Sequence, residues 1–335
     1  MSLMQMRISR NIFSVEKLTP DQAADARLTC RFWARWLVKL LLPAMLGAGC
    51  TTTPVAPVKP AAPDAVTLPG VRKPLKIGLA LGGGAARGFA HVGVIAVLEE
   101  AGLRPQMVVG TSAGSLVAAI YATGKTGAQL QQTAMGMEEV AMTDWMLPII
   151  GKGMFRGDAL GRYVNQLVDG RLIENMAIPL GIVATDLNSG QAVLFRSGDT
   201  GTAVRASSAV PAVFVPVRIS GHEYVDGGLV SPVPVRFARQ MGADIVIAVD
   251  ISNPPEGNPA GDTLQILLQT FSIMGKSINQ YELKEADVVV RPSQAGLKSA
   301  DFSARKLAIE SGRAAMLAAL PALKARLAAG ITTRP

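Results

Sequence analysis

A serine framed by two glycines, Gly110-Thr111-Ser112-Ala113-Gly114, follows the apolar run Met107-Val108-Val109 and leads into Ser115-Leu116-Val117-Ala118-Ala119-Ile120-Tyr121-Ala122. A strand that turns sharply into a helix through Gly-x-Ser-x-Gly lifts the serine hydroxyl out of the fold, where it can attack a carbonyl. Gly110 and Gly114 permit that nucleophile elbow because a side chain at either position would crowd the turn. Short Gly/Ser turns are common, so the chemistry requires two further parts: a base for the hydroxyl and donors for the oxyanion that the attack creates.

The donors have a candidate upstream. Leu75–Leu81 reads as a buried strand and runs into Gly82-Gly83-Gly84-Ala85-Ala86-Arg87-Gly88, after which Val92, Ile95, Ala96 and Leu98 mark a helix that stops at Gly102. A glycine loop at a helix start presents free backbone N–H groups at the positive end of a helix dipole. It suits a phosphate or an acyl-transfer oxyanion. The phosphate readings fit poorly: Arg87-Gly88-Phe89 lacks the Gly-Lys-Ser/Thr ending of a P-loop. The glycines also miss the dinucleotide spacing, and no acidic residue closes a second strand about 20 residues on. The oxyanion reading stands, with Arg87 adding positive charge.

The usual base for a serine is histidine, and with so few in the chain each can be checked in turn. The chain has two histidines. His91 lies on the first turns of the helix after the glycine loop and reads as a packing or capping residue. His222, in Ser220-Gly221-His222-Glu223-Tyr224, reads as a hairpin turn, and neither has an obvious orienting carboxylate. Asp226, in Tyr224-Val225-Asp226-Gly227-Gly228, is the better candidate. It follows a short strand, and the paired glycines allow another backbone to come close. A carboxylate of ordinary pKa, about 3.9, is a weak base toward a hydroxyl; a desolvated site improves it. Taken alone, these residues are read first as a plain Asp-Gly turn without chemistry.

Together, Gly82–Gly88, Gly110–Gly114 and Asp226-Gly227-Gly228 resemble, in order and spacing, the patatin-like phospholipases. The resemblance runs from about Leu75 to about Arg291 and includes Ala206-Ser207-Ser208-Ala209-Val210-Pro211, similar to the family's Ala-Ser-x-Ala-x-Pro segment. It implies a Ser–Asp dyad without histidine, with Ser112 as nucleophile and Asp226 as base. It further implies an oxyanion hole from the N–H groups of Gly83, Gly84 and Ala85, the last standing where many members have a fourth glycine. Two-step hydrolysis of a lipid or phospholipid ester through an acyl-enzyme follows, with no cofactor and no metal. An acyltransferase or thioesterase using the same dyad, or a catalytically silent membrane-tethered scaffold, are the alternatives.

The elements that must position these residues alternate. Runs at Ile178–Ala184, Ala192–Phe195, Ala212–Val217, Ile245–Val249 and Ala286–Val290 read as strands. Asp158–Val168, Pro234–Met241, Asp262–Tyr281 and Ser303–Ala329 read as helices. The expected fold is α/β: an open, largely parallel sheet flanked by helices, three-layered and patatin-like, in one catalytic domain over 75–330. The last helix, with Ile309, Met316, Leu317, Leu320, Leu323 and Leu327, is expected to pack on the sheet, and Pro321 to kink it. Trp145–Gly151 with Gly153-Met154-Phe155 is a mobile flap that meets lipid or a core-packing loop; both readings stay open.

The N-terminal 74 residues have another character. Arg31, Arg35 and Lys39 precede the short apolar stretch Leu40–Leu46, and Gly47-Ala48-Gly49-Cys50 follows. That is the layout of a secretory signal and is too short for a membrane span. It resembles a bacterial lipoprotein cleavage site, with Leu46 one place further out than usual. Residues 1–49 are then a signal peptide, long enough that translation starting after Met1 is also in view, and Cys50 is the lipidated residue. Thr51–Pro74, with six prolines, is a semi-extended tether. The expected location is the bacterial cell envelope, lipid-anchored at the outer membrane given Thr51 after the cysteine. Net charge is +8, of which half belongs to the leader. The mild remainder suits an anionic lipid surface or ordinary solvated faces. Scattered basic residues and few aromatics argue against nucleic acid. Oligomeric state is open.

Overall fold

The computed structural model describes residues 75–137, 153–252, 261–295, 297 and 302–330. The leader, Cys50, the tether and Trp145–Lys152 of the flap segment lie outside the described residues. Four strands are buried throughout: Ile77–Leu81 (β1), Met107–Thr111 (β2), Leu180–Asp186 (β4) and Ile245–Val249 (β9). Strands covered on both faces read as continuous apolar runs, which is how β1 and β9 appear in the sequence. With Val288–Val290 (β10) they form the parallel part of an eight-stranded sheet in the order β10-β9-β1-β2-β4. Beyond β4 the pairing turns antiparallel: His222–Asp226 (β8) follows, then Val217–Ile219 (β7), while Ala192–Phe195 (β5) also pairs with β4. The fold is the expected mostly parallel α/β sheet flanked by helices.

Helices cover the sheet. Phe89–Glu100 (α1) and Ala113–Ala122 (α2) leave the carboxyl ends of β1 and β2, and both are buried along most of their length. Gly127–Met135 (α3), Asp158–Leu167 (α4), Thr200–Ser207 (α5), Val235–Gln240 (α6), Thr263–Glu282 (α7) and Arg305–Ala329 (α8) complete the set. One departure from the sequence expectation has a clear cause. The run Ala212–Val217 is two strands, Ala212–Phe214 (β6) and β7, because Pro216 cannot continue a ladder. β6 pairs instead with Gly153–Phe155 (β3), in a small separate sheet.

α8 packs chiefly against α1 and also lies beside β10, at the edge of the sheet. Ile309, Met316 and Leu323, seven residues apart, are its buried stripe, whereas Leu317 is 53% exposed. The crossing is close: a Cβ at Gly93 would overlap the Ile309 carbonyl, and one at Gly312 the Ala90 carbonyl. Arg313 adds a bidentate ion pair to Glu100, at 2.7 and 2.9 Å. The helix runs through Pro321. Among the described residues no helix is long and apolar enough to cross a membrane.

Candidate active site

The elbow begins with a backbone that ordinary residues avoid. Ser112 has φ 54° and ψ −125°, a strained conformation that persists only where the surroundings enforce it. The framing glycines show how. A Cβ at Gly110 would overlap the Gly114 carbonyl, and one at Gly114 would overlap the carbonyl oxygen of Leu81 at the end of β1. The small residues therefore press α2 against both strands, with Ser112 at the apex. Its N–H donates to Ser207 Oγ at 2.8 Å, and Ser207 in turn donates to the Val183 carbonyl of β4.

Ser112 Oγ donates to Asp226 Oδ2 at 2.7 Å. Asp226 is 7% exposed, and its second oxygen accepts from Gly228 N–H at 2.7 Å. Burial pushes the carboxyl up to about 6, against the opposing pull of those two hydrogen bonds. Asp226 is also held by its own backbone: its N–H donates to Ala209 O at 3.0 Å, and its carbonyl accepts from Thr185 Oγ1 at 2.8 Å. The segment from Ser207 to Ala209 thus grips both members of the pair. Gly227 must be glycine, since a Cβ there would overlap the Val183 carbonyl.

The glycine loop lies beside the serine: a Cβ at Gly83 would come 3.1 Å from Ser112 Cβ. Three N–H donors were expected of Gly83, Gly84 and Ala85, and here the structure corrects the sequence. Gly83 N–H is already committed to the Pro232 carbonyl at 3.0 Å, as Gly82 N–H is to Val249 O. No hydrogen bond among the described residues occupies the N–H of Gly84 or Ala85. Arg87 aims the second of these. Its Nε donates to Gly84 O at 3.0 Å and its N–H to the same oxygen at 3.3 Å. Because the peptide is planar and trans, fixing the Gly84 carbonyl turns the Ala85 N–H the opposite way. Ala85 sits at φ 52°, a left-handed conformation that glycine would adopt without strain. Arg87 is buried, which pulls its pKa down to about 10, and the charge of Asp250 works against that fall. It remains a cation at neutral pH.

Residues 79–239 match the patatin-like phospholipase family. The chain carries a patatin-like phospholipase domain. An uncharacterized NTE family protein of Mycobacterium tuberculosis is 35% identical over 202 residues, 60% of this chain and 55% of that one. Patatin-like phospholipase domain-containing protein 6 of Homo sapiens is 32% identical over 232 residues, 67% of this chain and 16% of that one. The chain thus spans about half the length of the mycobacterial relative and much less of the human one. Among solved structures, VipD from Legionella pneumophila superposes with a TM-score of 0.50 at 15% identity, over 74% of this chain and 67% of that chain. That likeness concerns the fold.

Within the patatin-like domain neither histidine reaches the serine. His91 is fully buried beneath the glycine loop, its Nε2 2.8 Å from Gly82 O, and desolvation pulls its pKa down to about 4. It is neutral, and with a carbonyl as partner Nε2 carries the proton. His222 does have a carboxylate, contrary to the sequence reading: Nδ1 lies 2.8 Å from Asp186 Oδ2. It stands four residues before Asp226 on β8, about 13 Å along an extended strand.

Two cavities meet at Ser112, sharing Ala85, Val210, Val213 and Phe214. One, of about 400 Å³, is apolar and follows α2 through Ala113, Leu116, Val117 and Ile120, closed by Phe89, Leu130 and Phe302. The other, of about 460 Å³, holds Gly84, Arg87 and Asp226 and is walled by α7 through Leu268, Phe271 and Gly275.

Proposed function

We propose that this chain is a serine acyl hydrolase that cleaves ester bonds of phospholipids or related lipids. The observation that carries the reading is the 2.7 Å hydrogen bond from Ser112 Oγ to the buried Asp226, placed where the two cavities join. Asp226 takes the hydroxyl proton as Ser112 attacks the ester carbonyl, and the oxyanion forms against the N–H groups of Gly84 and Ala85. One such donor is worth about 3–4 kcal/mol in the transition state. The tetrahedral intermediate collapses, and the leaving alkoxide recovers the proton from Asp226. Asp226 then takes a proton from water as that water attacks the acyl-Ser112 ester, which releases the fatty acid and restores the hydroxyl.

A carboxyl raised to about 6 is a stronger base than an ordinary aspartate and is still ionised at neutral pH. The start of α2 directly after Ser112 adds a favourable dipole for the developing charge.

The apolar cavity seats the acyl chain. From Ser112 to Ile120 it follows eight residues of helix, about 12 Å at 1.5 Å per residue. Filling it shortens the chain that fits: Leu116→Trp is expected to lower the ratio of kcat/KM for an octanoyl ester to that for an acetyl ester at least tenfold. An unchanged ratio would place the acyl chain elsewhere. Cys50 as a lipid anchor, residues 51–74 as a tether and the outer membrane as location complete the proposal. What supports them is the basic, apolar and small-residue order before Cys50 and the prolines after it.

The direct test is the full chain in detergent with a fluorophosphonate probe and p-nitrophenyl octanoate. The expected result is ester turnover together with a single adduct, mapped by mass spectrometry to the peptide containing Ser112. Folded protein that neither turns over nor labels would overturn the hydrolase reading and favour a silent scaffold.

A further inference from the structure

Three parts of the site come from separate stretches of chain: the elbow after β2, the turn after β8 and the glycine loop after β1. The dipeptide Ser231-Pro232 is bonded to all three. Thr111, the residue before Ser112, donates from Oγ1 to the Ser231 carbonyl at 2.9 Å. The Ser231 N–H donates to the carbonyl of Gly227, the residue after Asp226, at 2.9 Å. The Pro232 carbonyl accepts the N–H of Gly83, one residue before Gly84, at 3.0 Å. Packing agrees with the bonding: a Cβ at Gly82 would stand 2.9 Å from Val233 Cγ2 and 3.3 Å from the Pro232 carbonyl oxygen. Thr111 and Ser231 are both fully buried.

Each of those bonds ends on a part that has to be held. The dipeptide can hold them only if something outside the site holds the dipeptide. Pro232 has no N–H to offer. The Ser231 side chain supplies the tie: its Oγ donates at 2.7 Å to Oε1 of Glu282, the last residue of α7. A hydroxyl bound to a carboxylate is a charge-assisted hydrogen bond, stronger than a neutral one. Glu282 is buried, yet it lines neither of the cavities that meet at Ser112. Arg236 stands beside it, with Nε 3.9 Å from Oε1, and donates from Nη2 to the Val230 carbonyl at 3.2 Å. That second tie is longer, and its donor is half exposed.

We propose that Glu282 is a positioning residue for the acyl-transfer chemistry. Through Ser231 it fixes the nucleophile, the base and the oxyanion donors relative to one another. The assignment rests on the acyl-hydrolase reading above. It places a determinant of rate at the end of α7, outside every motif that marks the site in the sequence. A shift of about 1 Å between reacting groups is worth some 10²-fold in rate. A small movement of the dipeptide therefore reaches kcat, while the apolar cavity, which neither Ser231 nor Pro232 lines, is left in place.

The test uses the full chain in detergent. Glu282→Leu removes the acceptor and leaves a solvated Arg236; Ser231→Ala removes the donor. Each is expected to lower kcat for p-nitrophenyl octanoate about 10–100-fold at a temperature where it is folded, with KM unchanged. Glu282→Gln keeps an oxygen for the hydroxyl and is expected to restore kcat to near the wild-type value. The double variant should be no slower than either single one, because all three break the same bond. Should Glu282→Leu fail to fold, Ser231→Ala carries the same expectation. Wild-type kcat in the single variants, or a loss in Glu282→Gln as large as that in Glu282→Leu, would overturn the proposal.

A second readout needs no ester. Exchange of the Gly83 amide, followed by NMR, reports its bond to Pro232. It is expected to quicken about tenfold in Glu282→Leu and Ser231→Ala, and to keep the wild-type rate in Glu282→Gln. Amides within α1 should not change, as they would in a general loosening. If the wild type cleaves no ester, the hydrolase reading falls, and a quickened Gly83 amide still establishes that Glu282 holds the loop. Unchanged exchange in both variants would sink the assignment whether or not the protein turns over. Quickened exchange with wild-type kcat would sink it too, since the loop would then move without consequence for the chemistry.

Discussion

Asp226→Asn is expected to lower kcat by about 10³–10⁴-fold and, at pH 8, to make the protein more stable. The first effect follows from the base. An amide keeps the size and both hydrogen bonds of the carboxylate, with its oxygen toward Gly228 N–H and its nitrogen toward Ser112 Oγ, but it cannot accept the hydroxyl proton. The second effect follows from linkage. The carboxyl is raised to about 6 in the fold, against about 3.9 in an unfolded chain. Folded protein therefore holds this proton more tightly than unfolded protein does. Stability falls as pH rises through the window from about 4 to 6 and stays lower above it. The difference between the folded and unfolded carboxyl corresponds to about 3 kcal/mol, a loss that asparagine does not suffer. The variant should melt several degrees above the wild type at pH 8 and near it at pH 4. Wild-type kcat/KM should rise with pH through about 6. A variant that keeps turnover, or melts lower at pH 8, would mean that Asp226 is not a buried base.

Much of this site was legible because it is local. Gly110–Gly114, the glycine loop and Asp226-Gly227-Gly228 each announce a turn whose backbone needs glycine, and the close contacts at Gly110, Gly114 and Gly227 bear out that need. Contacts between distant segments were not legible. Nothing near Gly83 says that its N–H belongs to Pro232, and nothing near His222 points to Asp186. Ser207 was visible only within a family segment; its bond to the Ser112 backbone needs α5 to lie across β4. α5 itself was missed, since Thr200–Ser207 is short, polar and built of weak helix formers. Its signal was the N-cap: Asp199 accepts from Thr202 N–H. The bond from Ser231 to Glu282 gave no signal at all, because only the fold brings the end of α7 against the turn after β8.

Gly114→Ala is the substitution that tests how the fold delivers the chemistry. Its methyl group would overlap the Leu81 carbonyl oxygen, and stand 2.6 Å from Leu81 C and 2.7 Å from Gly82 O. All three atoms are backbone, so no side chain can swing aside, and α2 must back away from the end of β1. Overpacking of this kind costs about 1–3 kcal/mol, a fall of roughly 2–12 °C in Tm for a domain this size. The chemistry should suffer more than the fold. Leu81 and Gly82 lead directly into Gly83-Gly84-Ala85, whereas Gly114 belongs to the turn that carries Ser112. The displacement therefore opens the distance between nucleophile and oxyanion donors, and about 1 Å there is worth some 10²-fold in rate. Gly161→Ala is the matched control: inside α4 its nearest neighbour would be Gly201 O at 3.5 Å, ordinary contact, and it should raise Tm slightly through helix propensity. Thermal melts and kcat at a temperature where both variants are folded decide the matter. A Gly114→Ala protein with wild-type kcat would show that the oxyanion is not held by the loop after β1.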